Sequence, residues 1–160
     1  MSHEFLPPAQ WYAQLPATYA AACALITDGA GRVLVVKPNY RDYWNLPGGF
    51  VDRNEPPHEA CARELREEIG LDLEVGELLV IDWVPEMEPR PRPLIGWMFD
   101  AGTFTPDVIA TIRIQEDELD DYAFVTVERA GELLPSTVAP RVPAALEARR
   151  LGRTIYLPKH

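Results

Sequence analysis

The chain reads as an α/β protein. Short apolar runs rich in β-branched and aromatic residues recur from residue 17 onward, a clear helical period runs from Pro56 or Pro57 to Gly70, and a second amphipathic stretch lies near the C-terminus. Strands that alternate unevenly with two or three helices suit a sheet covered by helices on both faces.

Met1 to Pro16 is punctuated by proline, carries Trp11 and Tyr12, and has no period. It is expected to be an N-terminal arm (residues 1–16) that packs its aromatics on the domain or on a second subunit, or is disordered at its tip. A single domain is expected over residues 17–158. Ala17 to Thr27, small and apolar, reads as a strand, and Asp28-Gly29 turns the chain into a second, buried strand, Arg32 to Lys37, closed by Pro38. Asn39 to Asn45 then leads into the loop Leu46-Pro47-Gly48-Gly49. The helix that follows accepts Pro56 or Pro57 in its first turn, has Glu55 at its N-terminus and stops at Gly70.

Leu71 to Val84 fits strand material with a bend, interrupted at Gly76 and Asp82. Pro85 to Pro93 holds four prolines, which fix φ and remove backbone donors, so it reads as a long exposed hairpin loop, with a substrate lid or dimer contact as the alternatives. Leu94 to Phe104 resumes as a strand, and Ile109 to Gln115 reads as another. After the acidic run Glu116 to Asp121 come a strand, Tyr122 to Val127, a short helix to Leu134, and the amphipathic helix Pro140 to Leu151, stopped by Gly152. Ile155-Tyr156-Leu157 closes the domain.

The first helix carries the chemistry. Glu64, Glu67 and Glu68 fall at i, i+3 and i+4 and share one side, while Cys61, Leu65 and Ile69 make a separate apolar stripe. Ala60 is read on the carboxylate side, where a larger residue would crowd a ligand; Arg63 and Arg66 point mostly elsewhere, with Arg63 in reach of Glu67. Like charges at this spacing cost a few tenths of a kcal/mol per pair, and acids in a last turn cost about 0.3–1 kcal/mol each against the helix dipole. A divalent cation would relieve both, and hard cations prefer oxygen ligands. The other reading is a solvated acidic face.

The formal charge of −10 argues against a nucleic-acid polymer as partner. No leader or membrane-length apolar segment is recognised. Cys23 and Cys61 read as small buried hydrophobes of a reducing compartment, so a cytoplasmic location is expected. No Ser-His-Asp or Cys-His arrangement is recognisable; His3 and His160 are terminal, and His58 reads as a surface residue.

Gly49, Glu55, Arg63, Glu64, Leu65, Glu67, Glu68, Gly70 and Leu71 match every fixed position of G-x5-E-x7-R-E-U-x-E-E-x-G-U, with U aliphatic, and Trp44-x-Leu-Pro-Gly-Gly49 precedes it. The stretch resembles the signature of the Nudix hydrolases. That resemblance implies an α/β/α Nudix sandwich with a mixed sheet, and metal-activated water that cleaves the pyrophosphate of a nucleoside diphosphate linked to X: a nucleoside triphosphate, ADP-ribose or a nucleotide sugar. It implies Mg²⁺, with Mn²⁺ able to substitute, held by Glu64, Glu67, Glu68 and the carbonyl of Gly48. The base is then one of these glutamates or Glu118, with Glu116 second to Glu118. Gly49, Glu55, Arg63 and Gly70 take structural roles. Lys37 and Arg41, near the end of the second strand, are candidate substrate contacts, as is Trp44 by stacking, although surface cations and a core aromatic are the plain alternatives. Trp83, Trp97 and Tyr122 are weighed in the same way. Pro85 resembles the placement of a proline in ADP-ribose-cleaving members, and Nudix proteins are often homodimers, with the N-terminal arm a possible contact. The competing function is a catalytically silent nucleotide-sensing module on the same fold; a third is diphosphate isomerisation, which calls for a pocket cysteine.

Overall fold

Alternation along the first two strands sets the architecture. In β1 (Tyr19–Asp28), Ala22, Ala24 and Ile26 face one hydrophobic cluster while Cys23 and Leu25 face another; in β2 (Val33–Pro38), Leu34 and Val36 join the first and Val33 and Val35 the second. Successive strand residues point to opposite faces, so two strands buried on both sides require a layer of helix above and below. The computed structural model, which describes residues 5–158, has that layering. His3, His160 and the tip of the arm lie outside the described residues.

The mixed sheet has seven strands, ordered β6-β2-β1-β5-β4-β7, with β3 (Gly48–Phe50) paired to β1 off that path. β1 and β5 (Leu94–Phe104) are parallel, as are β4 (Leu78–Val84) and β7 (Ile155–Pro158). β6 (Leu119–Val125) runs antiparallel to β2 and brings Asp121 opposite Lys37. One face is covered by α2 (Pro57–Ile69), the other by α4 (Val127–Leu133) and α5 (Arg141–Leu151). Among the described residues no helix is long and apolar enough to cross a membrane.

Three expectations are corrected. Residues of the arm form a short helix, α1 (Pro8–Ala13), whose Trp11 and Tyr12 pack on each other edge to face and stay 49% and 67% exposed rather than covering the domain. The strand expected from Leu71 begins only at Leu78. Ile109 to Gln115 is not a strand: Thr105 caps α3 (Pro106–Ile109) by accepting from Val108 N–H, and the chain beyond satisfies the last turn of α2. There Arg113 N–H donates to the Ile69 carbonyl at 2.9 Å and Gln115 N–H to that of Glu68 at 3.1 Å. The apolar residues that suggested a strand, Ile112 and Ile114, pack into the α2-side core from this irregular segment.

Asp82, which reads as an interruption in its strand, is fully buried and accepts a 2.6 Å bond from Arg141 Nε, tying α5 to β4. Such a pair adds little net stability, because both charges leave water, but losing one partner leaves the other buried and uncompensated.

Candidate active site

β1 offers one edge to two partners: β2 pairs near its C-terminal end, at Thr27, and β3 near its N-terminal end, at Ala21, Ala22 and Cys23. The second pairing draws Gly48 and Gly49 beneath α2. Gly48 has φ +147°, and a Cβ there would lie 2.2 Å from the Ala22 carbonyl oxygen and 2.5 Å from Cys23 Cα. A Cβ on Gly49 would lie 2.4 Å from Glu64 Oε1. Both glycines are therefore required by close approach, one to backbone and one to a carboxylate.

α2 presents that carboxylate. Pro56 and Pro57 start it, Gly70 ends it in the left-handed conformation, and Cys61, Leu65 and Ile69 are fully buried against the sheet. Ala60 is also fully buried in this cluster, so its small size serves packing against the sheet rather than room for a ligand. The stripe turns Glu64, Glu67 and Glu68 toward the glycine loop. Gly48 N–H donates to Glu68 Oε2 at 2.8 Å.

Arg63 points inward more than its helical position suggests. Its Nε and Nη2 donate to Glu55 at 2.8 and 3.0 Å, its Nη1 to Glu64 at 2.9 Å and Glu67 at 3.1 Å, and its Nη2 to the Phe50 carbonyl at 3.1 Å. Glu55 in turn accepts from Asp52 N–H at 2.9 Å. One guanidinium thus joins the loop, the helix start and two glutamates, a geometry that lysine does not offer. Hydrogen bonds from Arg63 hold the Glu55 carboxyl below its ordinary range, and the bond to Glu55 is the largest influence raising the Arg63 guanidinium.

Two of the remaining acids, Glu64 and Glu68, are raised chiefly by burial. Burial, with the charges of Glu67 and Glu118 added, pushes Glu64 up. Burial pushes Glu68 up to about 8, against the bond from Gly48, and the charges of Glu64, Glu118 and Glu67 act in the same direction. Glu118 reaches these groups from an exposed turn whose backbone is tied to β2 by Asn39 N–H at 2.9 Å.

The donor set suits a hard divalent cation: it is all carboxylate oxygen, and burial with neighbouring negative charge disfavours its ionised form when no cation is bound. Among the described residues no three His, Cys, Asp or Glu side chains are already gathered at metal-holding distance; Arg63 Nη1 takes the place between Glu64 and Glu67.

Of the other candidates, Lys37 Nζ donates to the carbonyls of Pro38 and Arg41, bracing the loop that precedes the glycines. Arg41 is exposed and lies 5.6 Å from the ring centroids of Tyr40 and Tyr43. Trp44 is half-buried against the α5-side core, and Trp97 and Tyr122 pack against the α2-side core. An open groove of about 560 Å³ lies beside the glycine loop, lined by Tyr19, Tyr43, Phe50 and Arg90 among others. Sequence reasoning did not single out Tyr19, Tyr43 or Phe50, and reached Arg90 only through the Pro85–Pro93 loop. The one available signal was that Phe50 follows Gly49 directly.

Comparison with known proteins bears on the family and the fold. The chain is 29% identical over 103 residues to an RNA pyrophosphohydrolase of Nitratiruptor sp., a match covering 58% of this chain and 64% of that protein. Against the curated relatives of that name the chain spans between 35% and 64% of their length. A MutT protein of Methanosarcina mazei superposes with a TM-score of 0.66 at 23% identity, over 86% of this chain and 96% of that one. An ADP-ribose pyrophosphatase of Streptococcus suis does so with 0.63 at 20%, over 89% and 100%. These two show the shared fold. A family profile described as the NUDIX domain matches residues 17–146, and the chain belongs to that family.

Proposed function

We propose that the protein cleaves the pyrophosphate bond of a nucleoside diphosphate linked to X in a Mg²⁺-dependent reaction. The observation that carries this is the set of three glutamates on one side of α2 beside a glycine loop, where burial, with the neighbouring charges added, pushes Glu68 up to about 8. Glu64, Glu67, Glu68 and the carbonyl of Gly48 hold the metal, which Mn²⁺ replaces. When bound, the cation neutralises phosphate oxygens and acidifies the attacking water.

The chain's own groups do the rest. Arg63 orients Glu64 and Glu67, while Glu55 fixes Arg63 and the loop. A box glutamate or Glu118 accepts the water's proton. Lys37 shapes the entry loop, with Arg41 at its outer end as a substrate contact and Trp44 behind it. Phosphoryl transfer asks mainly for positioning and charge stabilisation, so no protein nucleophile is needed. Residues 17–158 form the catalytic unit, with residues 1–16 an arm outside it, and the enzyme works in the cytoplasm as a monomer or homodimer.

The chain's charge of −10 favours a small substrate over a polymer. The name of the curated relatives nevertheless makes a short RNA with a 5′-triphosphate a necessary test compound. The experiment incubates the protein with Mg²⁺ or Mn²⁺ and nucleoside triphosphates, oxidised triphosphates, ADP-ribose, nucleotide sugars, dinucleoside polyphosphates and that RNA. Glu67→Gln is the control. Metal-dependent turnover of one class, lost in the variant, is the expected result. No turnover, together with a nucleotide-induced rise in Tm, would replace the hydrolase with the sensing module.

A further inference from the structure

Five of the six residues from Glu116 to Asp121 are acidic, and the turn they form lies near the three glutamates of α2. The charge of Glu118 bears on both Glu64 and Glu68, so like charge drives this turn away from the helix. It is held from two sides. On the helix side, Arg113 and Gln115 donate their backbone N–H groups to the carbonyls of Ile69 and Glu68, and buried Leu119 packs into the α2-side core.

On the strand side the hold comes from Asn39, directly after β2. Its backbone N–H donates to the Glu118 carbonyl at 2.9 Å, and its Nδ2 donates to the Asp117 carbonyl at 2.7 Å. Two donors of one residue thus meet two successive carbonyls of the turn. Among the described residues no other side chain from outside the acidic run donates to it. Asn39 is itself fixed: Lys37 Nζ donates to the carbonyls of Pro38 and Arg41, which stand on either side of it in the chain. Asn39 is exposed, so burial does not call for an amide there. Aspartate, of the same shape, offers only acceptors when ionised and could not make the bond to Asp117.

We infer that Asn39 is a positioning residue: by gripping the Asp117 and Glu118 carbonyls it holds the Glu118 carboxylate beside Glu64 and Glu68, with Lys37 fixing the loop from which it does so. Its effect on the reaction passes through the turn. This inference rests on the proposed hydrolysis and on Glu118 as an acid that serves it.

The test pairs Asn39→Ala, which removes Nδ2 and keeps the backbone donor, with Glu118→Gln and the double variant. Both positions are exposed, so folding is retained. In the metal-free protein, amide hydrogen exchange at Glu118 and Leu119 is expected to quicken about two- to tenfold in Asn39→Ala, the factor that one hydrogen bond is worth, with Tm within about 2 °C of wild type. With Mg²⁺ and the substrate that the turnover panel identifies, kcat falls about tenfold in Asn39→Ala while KM stays within about twofold. Glu118→Gln falls at least as far. The double variant falls no further than Glu118→Gln, because Asn39 then has nothing left to position. Asn39→Asp loses at least as much as Asn39→Ala, since its carboxylate faces the Asp117 carbonyl and adds to the acidic run. Unchanged exchange at the turn, a wild-type kcat in Asn39→Ala, or losses that simply add in the double variant overturns the inference. A Glu118→Gln protein with wild-type kcat overturns it as well and leaves the hydrolase reading standing. Failure of the hydrolase reading shows earlier, as absence of turnover by the wild type.

Discussion

Adjacent glycines should fail in different ways when each is given one methyl group. In Gly49→Ala the new Cβ meets Glu64 Oε1 at 2.4 Å and Cδ at 2.5 Å, where ordinary contact begins at 3.4 Å, so the carboxylate must retreat by about 1 Å. The obstacle is the far end of a flexible side chain, and the backbone at Gly49 has no positive φ. Stability therefore changes little, with Tm within about 2 °C of wild type, since 1 kcal/mol moves a chain of this size by roughly 2–4 °C. A misplacement of about 1 Å near the reacting centre reduces rate by about a hundredfold. In Gly48→Ala the same methyl meets the Ala22 carbonyl at 2.2 Å and Cys23 Cα at 2.5 Å with φ at +147°, and strand β1 cannot retreat from both core clusters.

Strain of about 1–3 kcal/mol from the backbone, with the clash added, lowers Tm by at least about 6 °C. Steady-state kinetics and calorimetry on the two variants read the contrast. A Gly49→Ala protein with wild-type kcat would show that the Glu64 carboxylate does not need its present position. A Gly48→Ala protein that melts like wild type would sink the account of the loop's packing.

Arg63→Lys keeps a charge but loses the fork on Glu55 and the bond to Phe50; kcat is expected to fall about 10–100-fold, as for residues that orient metal ligands, and a kcat unchanged by the substitution refutes the bracing role. Glu68 supplies a pH dependence. Its folded value of about 8 lies above the ordinary 4.5, so its stabilising contribution is complete below about 4.5 and is lost as pH rises through 8. Metal-free protein should accordingly lose Tm between about pH 4.5 and 8 relative to Glu68→Gln, and parallel melting curves across that range would contradict the assignment. Asp82→Ala leaves Arg141 without its carboxylate in the interior; the expected loss is about 3–5 kcal/mol, read as a denaturation midpoint, and a loss below about 1 kcal/mol rejects it.

Chain order and the box made the helix, its stripe and its three acids legible, because a 3.6-residue period and a glycine stop are local signals. β1 and β2 were legible for the same reason, their alternation being short and unbroken. What stayed hidden depends on distant partners. Ile112 and Ile114 look like strand residues, yet the backbone around them is spent on the carbonyls at the end of α2. Asp82 looks like a break and is a buried anchor, since its partner Arg141 lies in α5. Arg63 was legible as a motif residue but not as the hub of five hydrogen bonds. The groove was read only in part, through Arg41 and the proline-rich loop, because Tyr19, Phe50 and Arg90 come from three separate segments of the chain.

The helix that carries the acids sets them against one another and against its own dipole, and the magnitudes show why it nevertheless forms. The like-charged Glu64–Glu68 pair costs a few tenths of a kcal/mol, and acids near the C-terminal end of the dipole cost up to about 1 kcal/mol each. Against this, Leu65 and Ile69 are fully buried, each contributing about 1.5–3 kcal/mol. The Arg63 bridge to Glu64 and Glu67 removes part of the repulsion directly. The apolar stripe therefore outweighs the acidic face, and the fold can keep the three glutamates on one side of the helix before any cation arrives. It follows that truncating the stripe should harm the site in a way that truncating an acid does not. Leu65→Ala, at about 2–5 kcal/mol, should weaken both Tm and metal affinity, because the helix that converges the ligands is what the leucine anchors. Glu67→Gln should lower metal affinity while leaving Tm of the metal-free protein equal or higher. If Leu65→Ala lowered Tm but left metal affinity intact, the convergence of the three acids would have to come from the glycine loop and Arg63 alone.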